Sequence, residues 1–350
     1  MLRVFEAFSG YGSQSIALKN LGIEYEVVAI SEIDKYAIKA YEAIHGPTLN
    51  LGDISKIEIK DIPKHDLFTY SFPCQDISVA GKTNGIIKGQ TRSGLLYECE
   101  KIIEHCRPKY LLMENVKNLV GKKFKPQFDE WLKYLENLGY TNYWKVLNAK
   151  DYGVPQNRER VFVVSILGEH KPYEFPEPIK LDKCIADILE EQVDEKYYID
   201  KPFHLVDKGH QAELDIKGQD CIKRVYGVDK TAPTLTTMGG GMREPKILEK
   251  VERTPLKFLN RNGKQTGSDY TFCIDTCHTE GIKETYNNNT YRIRKLTPKE
   301  CFRLMGMNDD DIDKIQQTGI SNTQRYKMAG NSICVLVLEY IFKNLFKEVK

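Results

Sequence analysis

Two hydrophobic periods alternate through the first half of the chain. Short runs rich in β-branched, aliphatic and aromatic residues fall at 2–8, 25–30, 66–72, 109–114, 143–148 and 160–167 and read as strands. Between several of them, apolar positions recur at helical spacing over 13–21, 34–45, 94–106 and 127–138. Strand, helix, strand repeated in this way predicts an α/β fold with a parallel sheet wrapped by helices. The pattern stops after residue 168. Glu174-Phe-Pro-Glu-Pro178 has the composition of a linker, and residues 179–290 hold short β-like pieces with frequent Gly and Asn. Helical periodicity returns at Leu296–Met305, where Thr297 suits an N-cap, Pro298 the first helical position and Glu300 a capping turn. It returns again from Ser332 to Lys347, with Ile333, Leu336, Val337, Tyr340, Ile341 and Leu345 on one face.

The strand ends carry the chemistry. The run Leu67-Phe-Thr-Tyr-Ser-Phe72 ends at Pro73, which forbids further pairing, so Cys74 stands where a strand turns into a loop. Nucleophiles are often presented this way. A cysteine after a proline is by itself more often a small buried hydrophobe, and its companions decide between the two. One companion is Val4–Ser13, a strand running through Gly10-x-Gly12 into a helix, where the backbone can approach a ligand closely. Glu32 follows Gly12 by 20 residues, the spacing at which an acid meets ribose hydroxyls. The third glycine of the dinucleotide fingerprint is missing, which favours a nucleoside cofactor without a pyrophosphate over NAD. Gly52-Asp53-Ile54 adds a further candidate cofactor contact after another β-like stretch.

Tyr110–Val116 is an apolar strand ending in Glu114-Asn115, which puts a carboxylate at the ligand-binding edge of a parallel sheet. A solvated acid after a strand is the alternative. In Gln156-Asn-Arg-Glu-Arg160, Arg158 and Arg160 share a side by the two-residue period and could enter the same cleft while Glu159 points away. A surface charge run would look the same. Met328-Ala-Gly-Asn-Ser-Ile333 reads as a turn feeding a helix, and residue type favours Asn331 or Ser332 as its cap.

At 350 residues and 41% hydrophobic content the chain suffices for one large domain and a smaller one, and no apolar run approaches a membrane span. The N-terminus lacks the basic start and small-residue cleavage site of a secretory signal, and nine scattered cysteines fit a reducing compartment, so a cytoplasmic protein is expected. Net charge is +2, from 51 basic and 49 acidic residues. This does not announce a nucleic-acid binder. It still permits a basic cleft, because acids gather elsewhere, at Asp187, Glu190, Glu191, Asp194 and Glu195. Cys273-x3-Cys277-His278 has no second ligand pair at a structural-zinc spacing, and no metal is expected.

Taken in order, Phe8-Ser-Gly-Tyr-Gly12, Ser31-Glu-Ile-Asp34, Gly52-Asp-Ile54, Phe72-Pro-Cys-Gln75, Glu114-Asn-Val116, Gln156–Arg160, Arg294-Lys-Leu-Thr-Pro-Lys-Glu300 and Gly330-Asn-Ser332 resemble the cytosine-C5 DNA methyltransferase family of bacteria and phages. The resemblance implies a Rossmann-like S-adenosylmethionine-dependent methyltransferase domain made of residues 1–175 and 291–350. A smaller, irregular, β-containing target-recognition domain would occupy 176–290. It implies that Cys74 adds to C6 of a flipped cytosine, that Glu114 holds N3 and the exocyclic amine, and that Arg160 faces O2. Arg158 would brace the loop or a phosphate, and both arginines would help keep Cys74 ionised.

S-adenosylmethionine, leaving as S-adenosylhomocysteine, would lie on Phe8, Gly10, Tyr11 and Gly12, with Glu32 and Ile33 at the ribose and Asp53 and Ile54 at the adenine. Pro73, Asn331 and Ser332 would complete the cradle. Glu6 stands where relatives commonly carry an aspartate, and its extra methylene could move that carboxylate. Double-stranded DNA would meet a glycine-rich lid after the nucleophile, through Gln75, Lys82 and Arg92. Ala80 occupies the place where some relatives insert a serine into the vacated stack. DNA would also meet Thr234-Leu-Thr-Thr-Met-Gly-Gly-Gly-Met-Arg243, through Thr234, Leu235, Gly239, Gly240, Gly241 and Arg243, the last able to read a guanine edge.

A family that works on one base at a time makes a monomer the default, and the resemblance leaves open whether a cognate restriction endonuclease accompanies the enzyme or it is an orphan. The nearest competing readings are a tRNA cytosine-C5 methyltransferase and a catalytically silent DNA-binding module. The sizeable middle region favours DNA over tRNA, and the joint presence of Cys74, Glu114 and Arg160 argues against a silent module.

Overall fold

A computed structural model describes residues 1–74, 76–77, 86–87, 90–251, 258–259, 265–266, 284–286 and 289–347. The first half folds into a six-stranded sheet. Its elements are β1 (Leu2–Ala7), α1 (Ser13–Asn20), β2 (Tyr25–Ser31), α2 (Lys35–His45), β3 (Leu67–Tyr70), α3 (Leu96–Cys106), β4 (Tyr110–Val116), α4 (Lys125–Asn137), β5 (Tyr140–Asn148) and β6 (Glu159–Leu167). Strand order is β2-β1-β3-β4-β6-β5. The first four strands are parallel, while β6 runs antiparallel to both β4 and β5. The expected all-parallel sheet is therefore corrected to a mixed one. Only a single 3-10 turn, Ala149–Tyr152, lies between β5 and β6, and the ten residues joining them are too few for a crossover.

Both faces of this sheet are covered, which is why its strands read as nearly continuous apolar runs. Alternate residues sort to opposite sides. Leu2, Val4, Leu112, Phe162 and Val164 pack with Ile16 and Leu18 of α1 and Ala40 and Ile44 of α2. Phe5, Ala7, Leu111, Met113 and Val163 pack with Ile103 of α3 and Trp131 and Leu135 of α4.

A second six-stranded sheet holds β7 (Phe203–Leu205), β8 (Ala212–Leu214), the short helix α5 (Asp220–Lys223) leading into β9 (Arg224–Gly227), and β10 (Lys246–Val251). A two-residue ladder of β11 (Phe258–Leu259) and β12 (Gln265–Thr266) stands apart from it. With β13 (Glu284–Tyr286) and β14 (Asn289–Lys295), the sheet order is β13-β14-β10-β9-β8-β7 around a small core of Phe203, Leu214, Val225, Leu248 and Ile293. The chain then returns through α6 (Pro298–Arg303), α7 (Asp309–Gln317), α8 (Asn322–Asn331) and α9 (Val335–Leu345) to the α1 side of the first sheet.

Arg294 ties the two parts together. Fully buried on β14, its guanidinium donates to both carboxylate oxygens of Glu300 on α6 at 2.8 Å and to Glu249 of β10 at 2.6 Å. Glu300 also closes the capping box with Thr297 that the sequence predicts. The turn expected at 328–333 is instead the end of α8. Ser332 is its C-cap, and the next helix begins only at Val335 behind Cys334.

Candidate active site

The carboxyl ends of β1, β2, β3 and β4 open on a cleft of about 630 Å³, within the range of small-molecule and cofactor sites. Its floor is the loop after β1. Phe8 and Gly10 adopt left-handed backbone angles (φ 56° and 58°), and a Cβ on Gly10 would meet nothing within 4 Å, so the backbone there faces open space. Gly12 serves packing: a Cβ on it would lie 2.4 Å from Nε2 of His45. Glu32, just past β2, organises this rim. One carboxylate oxygen accepts from the Gly10 amide at 2.9 Å, the other from the amides of Ile33 and Asp34 at 2.8 Å.

Asn50, which sequence reasoning missed, joins the same rim. Its side chain accepts from the amides of Glu32 and Gly52 and donates back to the Glu32 carbonyl. Its only sequence signal is proximity to Gly52. Asp53 caps a short turn by accepting from the Ser55 amide and hydroxyl, which holds its carboxyl below the usual range. The β-like stretch expected before Gly52 amounts to a single bridge between Ile30 and Asn50. Ile54 is buried at the cleft wall, whereas Ile33 is 73% exposed at its edge. Beside it Asp34 pairs with Lys327 at 2.7 Å.

Tyr11 is not a free rim residue. Its ring is buried against Phe302 and its hydroxyl donates to Ser332 Oγ at 2.8 Å; burial pushes its pKa up to about 12. Asn331 lies exposed on the cleft wall next to Ser332.

The nucleophile's turn is held from three sides. Asn115 donates to the Phe72 carbonyl at 3.1 Å, Ser93 Oγ to the Pro73 carbonyl at 2.6 Å, and Asn118 to the Ile77 carbonyl at 2.6 Å. Ser93 and Asn118 were invisible to sequence reasoning, because nothing in the local pattern links them to a cysteine so far away along the chain. Cys74 shares the cleft with Pro73, Glu114, Arg158 and Arg160. Arg160 Nε lies 3.0 Å from Glu114 Oε1, and both side chains are largely buried.

Burial, and next the Glu114 carboxylate, push the Cys74 thiol up; Arg160 and Arg158 pull the other way without prevailing. The arginines thus act on Cys74 in the expected direction, but burial and Glu114 outweigh them. Arg158, expected to brace the loop or a phosphate, is turned to main-chain carbonyls. It is 3% exposed, and its guanidinium donates to the carbonyls of Leu235 (3.0 Å), Gly330 (3.0 Å) and Ser332 (2.7 Å).

Among the expected DNA-facing residues, Arg92 lies exposed at the cleft, and Thr234, Gly239, Gly240, Gly241 and Arg243 are exposed beyond it. Leu235 is instead buried at 1% exposure, its amide donating to Gln156, so its side chain is a packing anchor and not a contact surface. Gln75, Ala80 and Lys82 lie outside the described residues, as do Cys273, Cys277 and His278. The seven described cysteines are free, and no described helix is long and apolar enough to cross a membrane.

A glycine loop feeding a helix, an acid at the next strand end and a nucleophile at the third define a Rossmann-like transferase that binds a nucleoside cofactor. The chain matches the C-5 cytosine-specific DNA methylase family over residues 2–347 and belongs to it. It is 40% identical to the type II methyltransferase M2.ScrFI of Lactococcus lactis subsp. cremoris, over 99% of this chain and 100% of that one. It is 37% identical to the orphan methyltransferase M.SPBetaI of Bacillus phage SPbeta, over 98% and 97%. In fold it is similar to the S. pombe Dnmt2 methyltransferase (TM-score 0.69, 21% identity, all of both chains) and to EhMeth of Entamoeba histolytica (TM-score 0.71, 20% identity, 100% and 99%). The protein is thus a DNA cytosine-C5 methyltransferase that uses S-adenosylmethionine.

The cradle fits that cofactor. Besides the open space over Gly10, Ser9 and Ser71 stand at the cleft with buried hydroxyls that have no partner among the described residues, the kind of orphaned polar group a bound ligand satisfies.

Proposed function

We propose that Cys74, Glu114 and Arg160 perform the chemistry on one cytosine at a time, within a short DNA sequence selected by residues 176–290. The observation that carries this reading is the buried Glu114–Arg160 pair beside Cys74, in a cleft continuous with the glycine loop. A cytosine inside a duplex cannot reach such a cleft, so the base must leave the stack, at a cost of roughly a few kcal/mol. Cys74, once ionised, forms a bond from Sγ to C6, and the ring's electron pair moves toward C5. Glu114 engages N3 and the exocyclic amine, and Arg160 opposes the charge that builds at O2. Bound S-adenosylmethionine supplies the electrophilic methyl group that C5 takes up. Removal of the C5 proton by a base then lets Cys74 depart by β-elimination.

Gly10, Glu32, Asp53, Ile54 and the Asn331–Ser332 edge hold the cofactor, with Tyr11 and Gly12 acting behind them as packing. The exposed stretch Gly239–Arg243, together with Arg92 and the segment containing Gln75, Ala80 and Lys82, faces DNA. We further read the protein as a monomer of the bacterial or infected-host cytosol, paired with a cognate endonuclease. Bisulfite sequencing of a site-rich plasmid, after incubation with the protein and S-adenosylmethionine, tests this. Protection of cytosines within one short motif supports it; transfer to tRNA with no protected plasmid cytosine sinks it.

A further inference from the structure

A buried arginine normally meets a carboxylate, because an unpaired charge is costly away from water. Arg158 has no such partner within hydrogen-bonding distance among the described residues. Its guanidinium donates to main-chain carbonyls, and its Nε has no partner among the described residues. Those carbonyls belong to two segments of different purpose. Gly330 and Ser332 close α8 beside the cofactor cleft, whereas Leu235 precedes the exposed glycine stretch 239–241.

The segments also touch directly. A Cβ on Gly330 would sit 1.9 Å from the Thr236 carbonyl oxygen, so only glycine permits this approach. Around the contact, residues 232–235 are stitched to 155–157. The Ala232 amide donates to the Pro155 carbonyl and the Asn157 amide to the Ala232 carbonyl, Thr234 Oγ1 donates to the Asn157 carbonyl, and Gln156 spans from Leu235 to the Leu304 carbonyl. On the other side, Ser332 Oγ accepts from Tyr11, inside the loop that faces the cofactor. An unbroken chain of bonds therefore runs from the Gly10–Gly12 loop through Tyr11, Ser332 and Arg158 to Leu235. None of residues 232–243 lines the cleft itself.

Building on the cofactor reading above, we propose that Arg158 is a positioning residue that couples occupancy of the cofactor cleft to the order of the 235–243 loop. A bound cofactor fixes the Gly10–Tyr11 and Asn331–Ser332 edges, and the guanidinium fork transmits that restraint to the loop that faces DNA. Lysine would keep the charge but could not span two segments with one rigid fork. By linkage, DNA held on that loop must favour the cofactor by the same factor.

Backbone hydrogen exchange of the whole protein, with and without S-adenosylhomocysteine and with no DNA, reads the coupling. In the wild type, peptides covering 8–12 and 235–243 both gain protection, the second by about fivefold or more, the low end of ordinary couplings. Arg158→Lys keeps the first and loses the second. Should that variant fold poorly, Gly330→Ala retains the guanidinium while displacing the Thr236 carbonyl, and the same loss is expected. Protection confined to 8–12 in the wild type overturns the proposal, as does an Arg158→Lys protein that retains both. Protection at neither segment removes the cofactor reading and this inference together.

Discussion

Arg160 Nε stands 3.0 Å from Glu114 Oε1, so the two groups proposed to hold the target base neutralise one another while they wait for it. The Glu114 carboxylate is also, after burial, the largest influence raising the Cys74 thiol. Replacing Glu114 by Gln removes that repulsion and leaves the Arg160 charge unopposed. The thiol pKa should then fall, and alkylation of Cys74 by iodoacetamide at pH 8 should become faster than in the wild type. Methyl transfer should drop at least ~100-fold, the scale of losing a group that acts on the reacting ring. A slower alkylation rate in Glu114→Gln would contradict the electrostatic account.

Glu32 satisfies three main-chain amides with one carboxylate. Glu32→Ala should weaken S-adenosylhomocysteine binding by about tenfold or more, roughly 1.4 kcal/mol per factor of ten. DNA affinity should change little. Calorimetric titration checks the first, and an unaltered cofactor affinity would remove Glu32 from the cleft's function.

The Ser93 hydroxyl acts on Cys74 through the Pro73 carbonyl, while its amide separately donates to Asp76. Ser93→Ala should lower kcat about tenfold by loosening the nucleophile's turn, while the cofactor dissociation constant stays put. If steady-state kinetics show a change in KM alone, the turn does not depend on this bond.

Glu6 is fully buried beneath the glycine loop, with one oxygen accepting from Ser15 Oγ and the other without a partner among the described residues. Burial raises its pKa from 4.5 to about 7. Because the folded-state value is the higher one, the native protein binds the extra proton between about 4.5 and 7 and the unfolded chain does not. This group's contribution is therefore full below pH 4.5 and declines as pH rises toward 7, by a total on the order of 3 kcal/mol. Glu6→Gln should flatten that limb of the stability curve. Denaturant melts at pH 5 and pH 8 compare the two proteins, and an equal slope in both would show that Glu6 is ionised throughout.

Much of the site was legible because its residues sit where strands end. Cys74, Glu114, Gly10 and Glu32 follow apolar runs whose burial on two faces makes them easy to see. Direction was not legible. The period of β5 and β6 is the same whether they run parallel or antiparallel, and only the shortness of their connection decides it. Spacing also failed to separate Arg158 from Arg160. Both stand on one side of the same strand end, yet one meets Glu114 and the other turns to the carbonyls of Leu235, Gly330 and Ser332, segments roughly 80 and 170 residues away. Side chains that act through the backbone, such as Ser93, Asn118 and Asn50, left almost no local signature for the same reason: their partners lie far along the chain. Leu235 looked like a surface residue ahead of three glycines, and neither its burial in the core nor the Gln156 side chain that takes its amide could be anticipated.

The most direct test of the central claim uses duplex DNA carrying 5-fluorocytosine at the motif found by bisulfite sequencing. Fluorine at C5 cannot be removed as a proton, so the Sγ–C6 bond persists after methyl transfer. Incubation with S-adenosylmethionine followed by peptide mapping should find the nucleotide on Cys74, and Cys74→Ser should give no adduct while still binding S-adenosylhomocysteine. A wild-type protein that methylates the natural site but forms no adduct, or forms one on another cysteine, would contradict the account.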